Sequence, residues 1–248
     1  MKRILTIALL AIALVAQAQH RETRKIAAPT AISVATSIET RYVLSNRNEV
    51  VVEVEYPDHL KKLETVVEDG ELKIRYKPLS NIRTKKSNKV TVYSSGELTD
   101  IEVSSSGSLR IEDAFRVSAL DIEVSSSGKL FAQDIVAEKT NVEVSSSGRF
   151  DGRIKTGRLD LDCSSSGQIN LLGSAETAEL EITSSGAANL GQMPIASASI
   201  EVGSSGSATV NVSGKLTGSV SSSGKIVHIG TPKTISVDRS SGGQVVKK

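Results

Sequence analysis

From Val90 onward, apolar and polar residues alternate in short bursts separated by serines and a glycine. "DIEVSSSGSL" (100–109), "DIEVSSSGKL" (121–130) and "NVEVSSSGRF" (141–150) are near copies of one another. Aligned on the glycine of each Ser-Ser-Gly, the chain offers Gly96, Gly107, Gly128, Gly148, Gly167, Gly186, Gly206, Gly224 and Gly242, and after the first gap the intervals run from 18 to 21 residues. Four positions before the first eight glycines stand Val92, Val103, Val124, Val144, Cys163, Ile182, Val202 and Val220. Two positions after them stand Leu98, Leu109, Leu130, Phe150, Ile169, Ala188, Ala208 and Ile226. Even offsets are apolar and odd offsets polar, which is the period-2 mark of strands with one face inside.

A period near twenty leaves no room for a strand plus a helix with this much alternation. It fits one winding of a parallel β-helix, in which each coil buries its apolar face only against its neighbours. The pattern predicts an all-β, single-domain, right-handed parallel β-helix, since parallel crossovers wind that way almost always. About eight coils at ~4.8 Å spacing give a rod roughly 40 Å long. Gly107, Gly128, Gly148, Gly167, Gly186, Gly206 and Gly224 are read as structural turn residues, where close backbone approach or positive φ excludes a Cβ. By simple parity Ser105, Ser126, Ser146, Ser165, Ser184, Ser204 and Ser222 point inward, as a ladder of hydroxyls that hydrogen-bond between coils. A catalytic serine needs one special copy rather than one per coil, so the motif reads as architecture.

Residues 24–87 do not keep the repeat. "AISVATS", "ETRYVLS", "EVVVEVEY" and "ELKIRY" read as strands, with turns at "SNRNE" and "EDGE" and one helical turn in "YPDHLKKLE". The expected organisation is a signal peptide over 1–18, an N-terminal strand and hairpin cap with the first coils over 19–87, β-helix repeats over 88–238, and a tail over 239–248. The signal reading rests on Lys2 and Arg3, the apolar run Ile4 to Val15, and the small-x-small site Ala16-Gln17-Ala18. It predicts export to the periplasm, the cell surface or the medium, with no membrane span in the mature chain.

Composition narrows the picture. Thirty basic and twenty-eight acidic residues leave a net charge of +2, which gives no reason to expect nucleic acid or an anionic membrane as a partner. There is no Trp, only three Phe and four Tyr, so the core must be built from Val, Ile, Leu and Ala, and a strong sugar-stacking platform is not expected. The one cysteine, Cys163, has no partner for an internal disulfide and falls in a Val/Ile column, where it should be buried and inert.

"RKIAAPTAISV", "YPDHLKKLETVVEDGELKIRY" and the strand-Ser-Gly coils from Val90 onward resemble the head GIN domain family of auto-transporter adhesins, over roughly residues 24–235. The resemblance implies a pectin-lyase-like solenoid, no identified catalytic residues and an adhesive role at the bacterial cell envelope. It supplies no binding residues. The Gly-Ile-Asn signature appears here only approximately, as "GQIN" at Gly167 to Asn170, and a translocator barrel after the rod is not expected.

The candidate chemistry is acidic. Five before the glycine an acid recurs in six consecutive coils, as Glu102, Glu123, Glu143, Asp162, Glu181 and Glu201; seven before, Asp100, Asp121, Asp160 and Glu179 form a second column interrupted by Asn141. Stacked like charges repel, so cations, solvent or a bound divalent ion must offset them. No cofactor is expected; calcium is chemically reasonable, because it takes several oxygen ligands, yet a flat ladder offers few converging oxygens. A solvated acidic stripe is the simpler expectation. His20, His59 and His228 are far apart in sequence and form no triad or zinc motif. The basic stretch Lys73, Arg75, Lys77, Arg83, Lys85, Lys86 and Lys89 reads as a solvated loop with some capacity to touch anionic glycans or lipid head groups. The expected function is a non-enzymatic surface-binding module with an unidentified protein or glycan ligand. The alternatives are an envelope scaffold without an adhesive target and a carbohydrate-active protein on the same fold.

Overall fold

The computed structural model describes residues 20–86 and 88–248; the expected signal peptide, 1–18, lies outside the described residues. The repeat region forms a parallel β-solenoid. Short strands β8 (Asp100–Val103) and β9 (Ser108–Ile111) make its first regular coil, and the chain then winds through β10 (Phe115–Val124), β11 (Lys129–Val144), β12 (Arg149–Cys163), β13 (Gln168–Ile182), β14 (Ala187–Val202) and β15 (Ser207–Val220). Strands as long as the 16-residue β11 bend around the molecule's sides, and a register shift between Ala132 and Ile135 marks one such corner. Shorter β16 (Lys225–Ile229), β17 (Thr234–Arg239) and β18 (Gln244–Lys247) close the far end.

The register stacks identical positions. Val103 pairs Val124, Val124 pairs Val144, Val144 pairs Cys163, Cys163 pairs Ile182 and Ile182 pairs Val202, all in parallel. Every member of that column is buried, as is the column from Leu109 through Leu130, Phe150, Ile169, Ala188 and Ala208 to Ile226. Each such side chain, taken from water into contact with the coils on either side, contributes about 1.5–3 kcal/mol for Val, Leu or Ile. Small aliphatic residues suit a narrow interior of this kind.

The turn at each coil differs from simple parity. Ser105 and Ser106 both have positive φ (50° and 61°), and the Gly107 amide donates to the Ser104 carbonyl at 2.8 Å, closing a turn of type I′ character. The same pair of left-handed residues recurs in the later coils, for example Ser126 and Ser127 or Ser146 and Ser147. Two consecutive left-handed residues reverse the direction of the chain, so counting by twos across them fails. Ser105, Ser126, Ser146, Ser165, Ser184, Ser204 and Ser222 are therefore exposed, which corrects the inward hydroxyl ladder. It is their backbone that bridges coils, as in Ser127 N–H to the Ser146 carbonyl at 3.0 Å. The glycine after them matters for proximity: a Cβ on Gly128 would lie 2.3 Å from the Val103 carbonyl oxygen of the preceding coil.

The N-terminal part hides a further coil. β2 (Ala31–Val34) and β3 (Glu39–Leu44) lie in register on β8 and β9, with Val34 on Val103 and Tyr42 on Ile111. Between them Thr36 and Ser37 have φ of 63° and 57°, so "ATSI" is the same turn with Ile38 in the glycine position. The neighbouring strand β6 (Glu71–Tyr76) runs on past this point instead of turning, and Ile38 is fully buried there. Over this coil fold β4 (Glu49–Val54), the helical turn α1 (Asp58–Lys62), β5 (Leu63–Glu68), β6 and β7 (Lys89–Ser94), with β1 (His20–Lys25) outermost. β1 on β4, β4 on β7 and β5 on β6 are antiparallel, which ends the parallel stack and caps it.

Two alignments change accordingly. Val90 and Val92 of β7 stack on Thr40 and Tyr42, in the column of Leu109 and Ile111, rather than on Ile101 and Val103. Gly96 belongs to no coil turn, and at the far end Gly243, not Gly242, occupies the coil-glycine position, its amide donating to Ser240 at 2.8 Å.

Candidate functional site

Odd positions of the strand before each turn face out, and on one side of the solenoid they are acidic. Glu102, Glu123, Glu143, Asp162, Glu181 and Glu201 stand in register, one per coil. Asp100, Asp121, Asn141, Asp160 and Glu179 form the adjacent column. Between the two runs a shallow open trough of about 740 Å³, lined by Asp100, Glu102, Asp121, Glu123, Glu143, Asp160 and Asp162 among others. Glu181 and Glu201 continue the ladder beyond it and do not line it.

The trough reaches into the N-terminal coil in a way the sequence order conceals. β2 lies between β8 and β6, placing Ala31 and Ser33 on the acidic columns and Glu71 at the trough's end. Ser33 Oγ donates to Glu102 Oε2 at 3.1 Å, and Asn141 Nδ2 donates to Asp121. That hydrogen bond explains the single break in the second column: an amide there separates two carboxylates and donates to one. Arg158 supplies charge at the margin, 2.8 Å from Glu179 and 3.9 Å from Asp160. Among the described residues, no Lys or Arg pairs with any acid of the Glu102 to Glu201 column.

Crowding shows in the protonation equilibria. Partial burial, then the charges of Asp121, Glu71 and Glu102, push the Asp100 carboxyl above its usual range. Glu123 is raised by partial burial and by Glu102, Glu143 and Asp100. Both shifts have the same direction, with partial burial as the leading cause and neighbouring carboxylates adding to it. Among the described residues no three His, Cys, Asp or Glu side chains converge as a metal-holding group.

The remaining candidates are dispersed. Cys163 is buried, its thiol is pushed up to about 11 mainly by burial, and its sulfur lies 3.7 Å from the Ala187 carbonyl oxygen. His20 begins β1. His228 is buried near the far end between Val210 and Lys247, with Nδ1 unpartnered, and burial holds its pKa below the ordinary value. His59 does have company that the sequence did not reveal: its ring meets Tyr56 and Tyr76 edge-on at 5.4 and 6.4 Å, and Asn88 Nδ2 lies 3.3 Å from its Nδ1. Asn88 also accepts the Glu55 amide at 3.0 Å, so this cluster fastens the cap.

A capped β-solenoid with long, repetitive polar faces defines the class: an elongated all-β repeat protein whose outer columns are available for contact. The family model described as "Putative auto-transporter adhesin, head GIN domain" matches residues 28–232, and the chain belongs to that family. Among solved structures it is similar to a "putative adhesin" from Parabacteroides merdae, at 20% identity and a TM-score of 0.82, covering 92% of this chain and 95% of that one. A "putative adhesin" from Parabacteroides distasonis is 18% identical with a TM-score of 0.82, covering 94% and 98%. A "putative lipid binding protein" from the same species is 23% identical with a TM-score of 0.78, covering 92% and 96%. No curated protein matches the chain. At these identities the structural likeness concerns the fold.

Proposed function

We infer that the protein is an exported, non-enzymatic module of the bacterial envelope that binds a cationic surface ligand through its acidic face. The observation that carries this reading is the in-register double column of carboxylates, of which the Glu102 to Glu201 column has no Lys or Arg partner among the described residues. Such a surface attracts lysine- or arginine-rich protein, or amine-bearing glycan, and repeats the same weak contact along the rod, so that affinity accumulates by multivalency. Membership of an adhesin family agrees with it, and the basic start and apolar run of residues 2–15 support export. Catalysis fits poorly, because a hydrolytic site needs a particular pair of carboxyl groups, and these acids are repeat positions, one per coil.

A binding screen on immobilised glycans and extracellular-matrix proteins, run alongside a polysaccharide-turnover assay, tests the reading. Capture of cationic ligands that weakens with salt supports it; turnover of a polysaccharide, or capture confined to anionic ligands, rejects it.

A further inference from the structure

The loop joining β6 to β7 carries a side chain that neither packing nor backbone preference explains. Lys77, Pro78, Leu79 and Ser80 form a turn closed by the Ser80 amide donating to the Lys77 carbonyl at 3.2 Å. With Pro at the second position and φ of +62° at the third, it has the form of a type II turn, whose third residue is ordinarily Gly or Asn. Here that residue is leucine, and it is wholly exposed, at 105% of the reference accessibility. The left-handed conformation disfavours a leucine, and exposure gives it nothing in return. A strained, apolar, fully solvated tip is a feature whose benefit must lie outside the folded chain.

The loop that carries Leu79 is cationic in sequence. Between residues 77 and 86 the chain carries Lys77, Arg83, Lys85 and Lys86 and no acid. All four are exposed. The carboxylates nearby are already engaged: Glu55 accepts the backbone amide of Lys85 at 2.7 Å, Asp58 pairs with Lys62 at 2.7 Å and Glu64 with Arg75 at 3.2 Å. The Glu55 contact holds the loop by its backbone and leaves the lysine side chains to solvent. The loop is also anchored where it begins, by Lys77 N–H on the Lys62 carbonyl at 2.8 Å. Tyr56, 41% exposed, stands on the same end of the molecule, reached from Tyr76 through His59.

We propose that the Lys77–Lys86 loop docks the capped end of the solenoid on an anionic lipid surface, with Leu79 entering the apolar margin and the four cations meeting head groups. An exposed apolar tip on a loop with four cations and no acid matches the layering of an anionic bilayer, with charge outside and hydrocarbon within, whereas a soluble polyanion would use the cations and leave the leucine unrewarded. Attachment at this end leaves the acidic face free along the rod, so the inference is independent of the ligand proposed for that face.

The chain has no tryptophan, so Leu79→Trp installs a single reporter in the loop. The full chain is titrated with vesicles of phosphatidylcholine, with and without phosphatidylglycerol, and with heparin as a soluble polyanion. The expected result is a blue shift of emission on phosphatidylglycerol vesicles only, weakened by salt. Lys85→Gln with Lys86→Gln should weaken association about 25-fold, roughly fivefold for each charge. Leu79→Asn should lose about tenfold while melting no lower than the parent, because asparagine tolerates the left-handed conformation. An emission that stays at its solvent position on anionic vesicles overturns the proposal, including when the chain attaches through the apolar residues 4–15, which the reporter does not sense. So does a Leu79→Asn chain that binds as well as the parent, or heparin binding with no vesicle response.

Discussion

At a coil turn, three neighbouring residues answer to different constraints. In "SSSG" at 145–148, Ser146 and Ser147 take φ of 49° and 62°, while Gly148 has ordinary φ and sits under the Val124 carbonyl. A Cβ on Gly148 would fall 2.3 Å from that oxygen, and the oxygen belongs to a paired strand that cannot move aside. Gly148→Ala should therefore cost about 3 kcal/mol in chemical denaturation. Ser147→Val should cost about 1–2 kcal/mol through backbone strain alone, while Ser147→Asn should be neutral or stabilising. If Gly148→Ala proves neutral and Ser147→Gly destabilises, the assignment of the two roles is reversed. Cys163 makes a parallel case in the core. With its thiol pushed up to about 11 and its side chain buried, it should resist thiol reagents in the native protein and label only on unfolding. Cys163→Val should change stability by less than about 1.5 kcal/mol, since the column already accepts valine.

Among the elements, the regular coils were readable because strand alternation and a fixed period act together from Ile101 to Val220. The coil of β2 and β3 was readable only as two strands among the first coils expected within 19–87; its turn and its register were not, for two reasons. "AISVATSIET" has Ile38 where the others have glycine, and its partner β8 comes only after the cap residues have been inserted between them in sequence. "YSSGEL" at 93–98 then imitates a coil turn without forming one. β1 was invisible because "HRETRK" is polar throughout; it is an edge strand whose partner β4 supplies all the apolar residues. Arg24 holds it in place, donating to the carbonyls of Leu60 and Leu63 at 2.6 and 2.7 Å and to Thr65 at 3.1 Å. Arg24→Ala should loosen β1 and β5 together and lower stability by about 2 kcal/mol, read as faster amide exchange confined to the cap. The other end should respond to acid. His228 is held neutral by burial, so the unfolded chain binds its proton first as pH falls below the ordinary value of 6.5. Stability that is complete above that pH is lost beneath it, and exchange in β16 to β18 should quicken in His228 but not in a His228→Leu chain.

Taken as a whole, the molecule keeps its repeated interior apolar and concentrates like charge on one outer side. Glu22, Glu49 and Asp58 are lowered by Arg24, Lys25 and Lys62, respectively, and give up stabilisation as pH falls. Asp100 and Glu123 act in the opposite sense. Folded, they hold protons more tightly than unfolded, so their contribution worsens as pH rises through their raised values. Glu123→Gln should stabilise the neutral protein by a few tenths of a kcal/mol, with the gain fading in acid. A face that is intrinsically uncomfortable when empty of counter-charge is one suited to a cationic partner. The columns themselves were legible in the sequence; their continuation onto Ser33 and Glu71, and the engagement of Asn141 with Asp121, depend on coil stacking that no linear spacing encodes.

The most direct test is a calorimetric titration with an oligolysine peptide on three chains. The parent is compared with Glu123→Gln, Glu143→Gln, Asp162→Asn on the acidic face and with Glu97→Gln, Glu112→Gln, Asp134→Asn outside its two columns, the same change in net charge. The account predicts binding to the parent and the second variant and at least a tenfold loss in the first. Equal loss in both variants, or none in either, would contradict it.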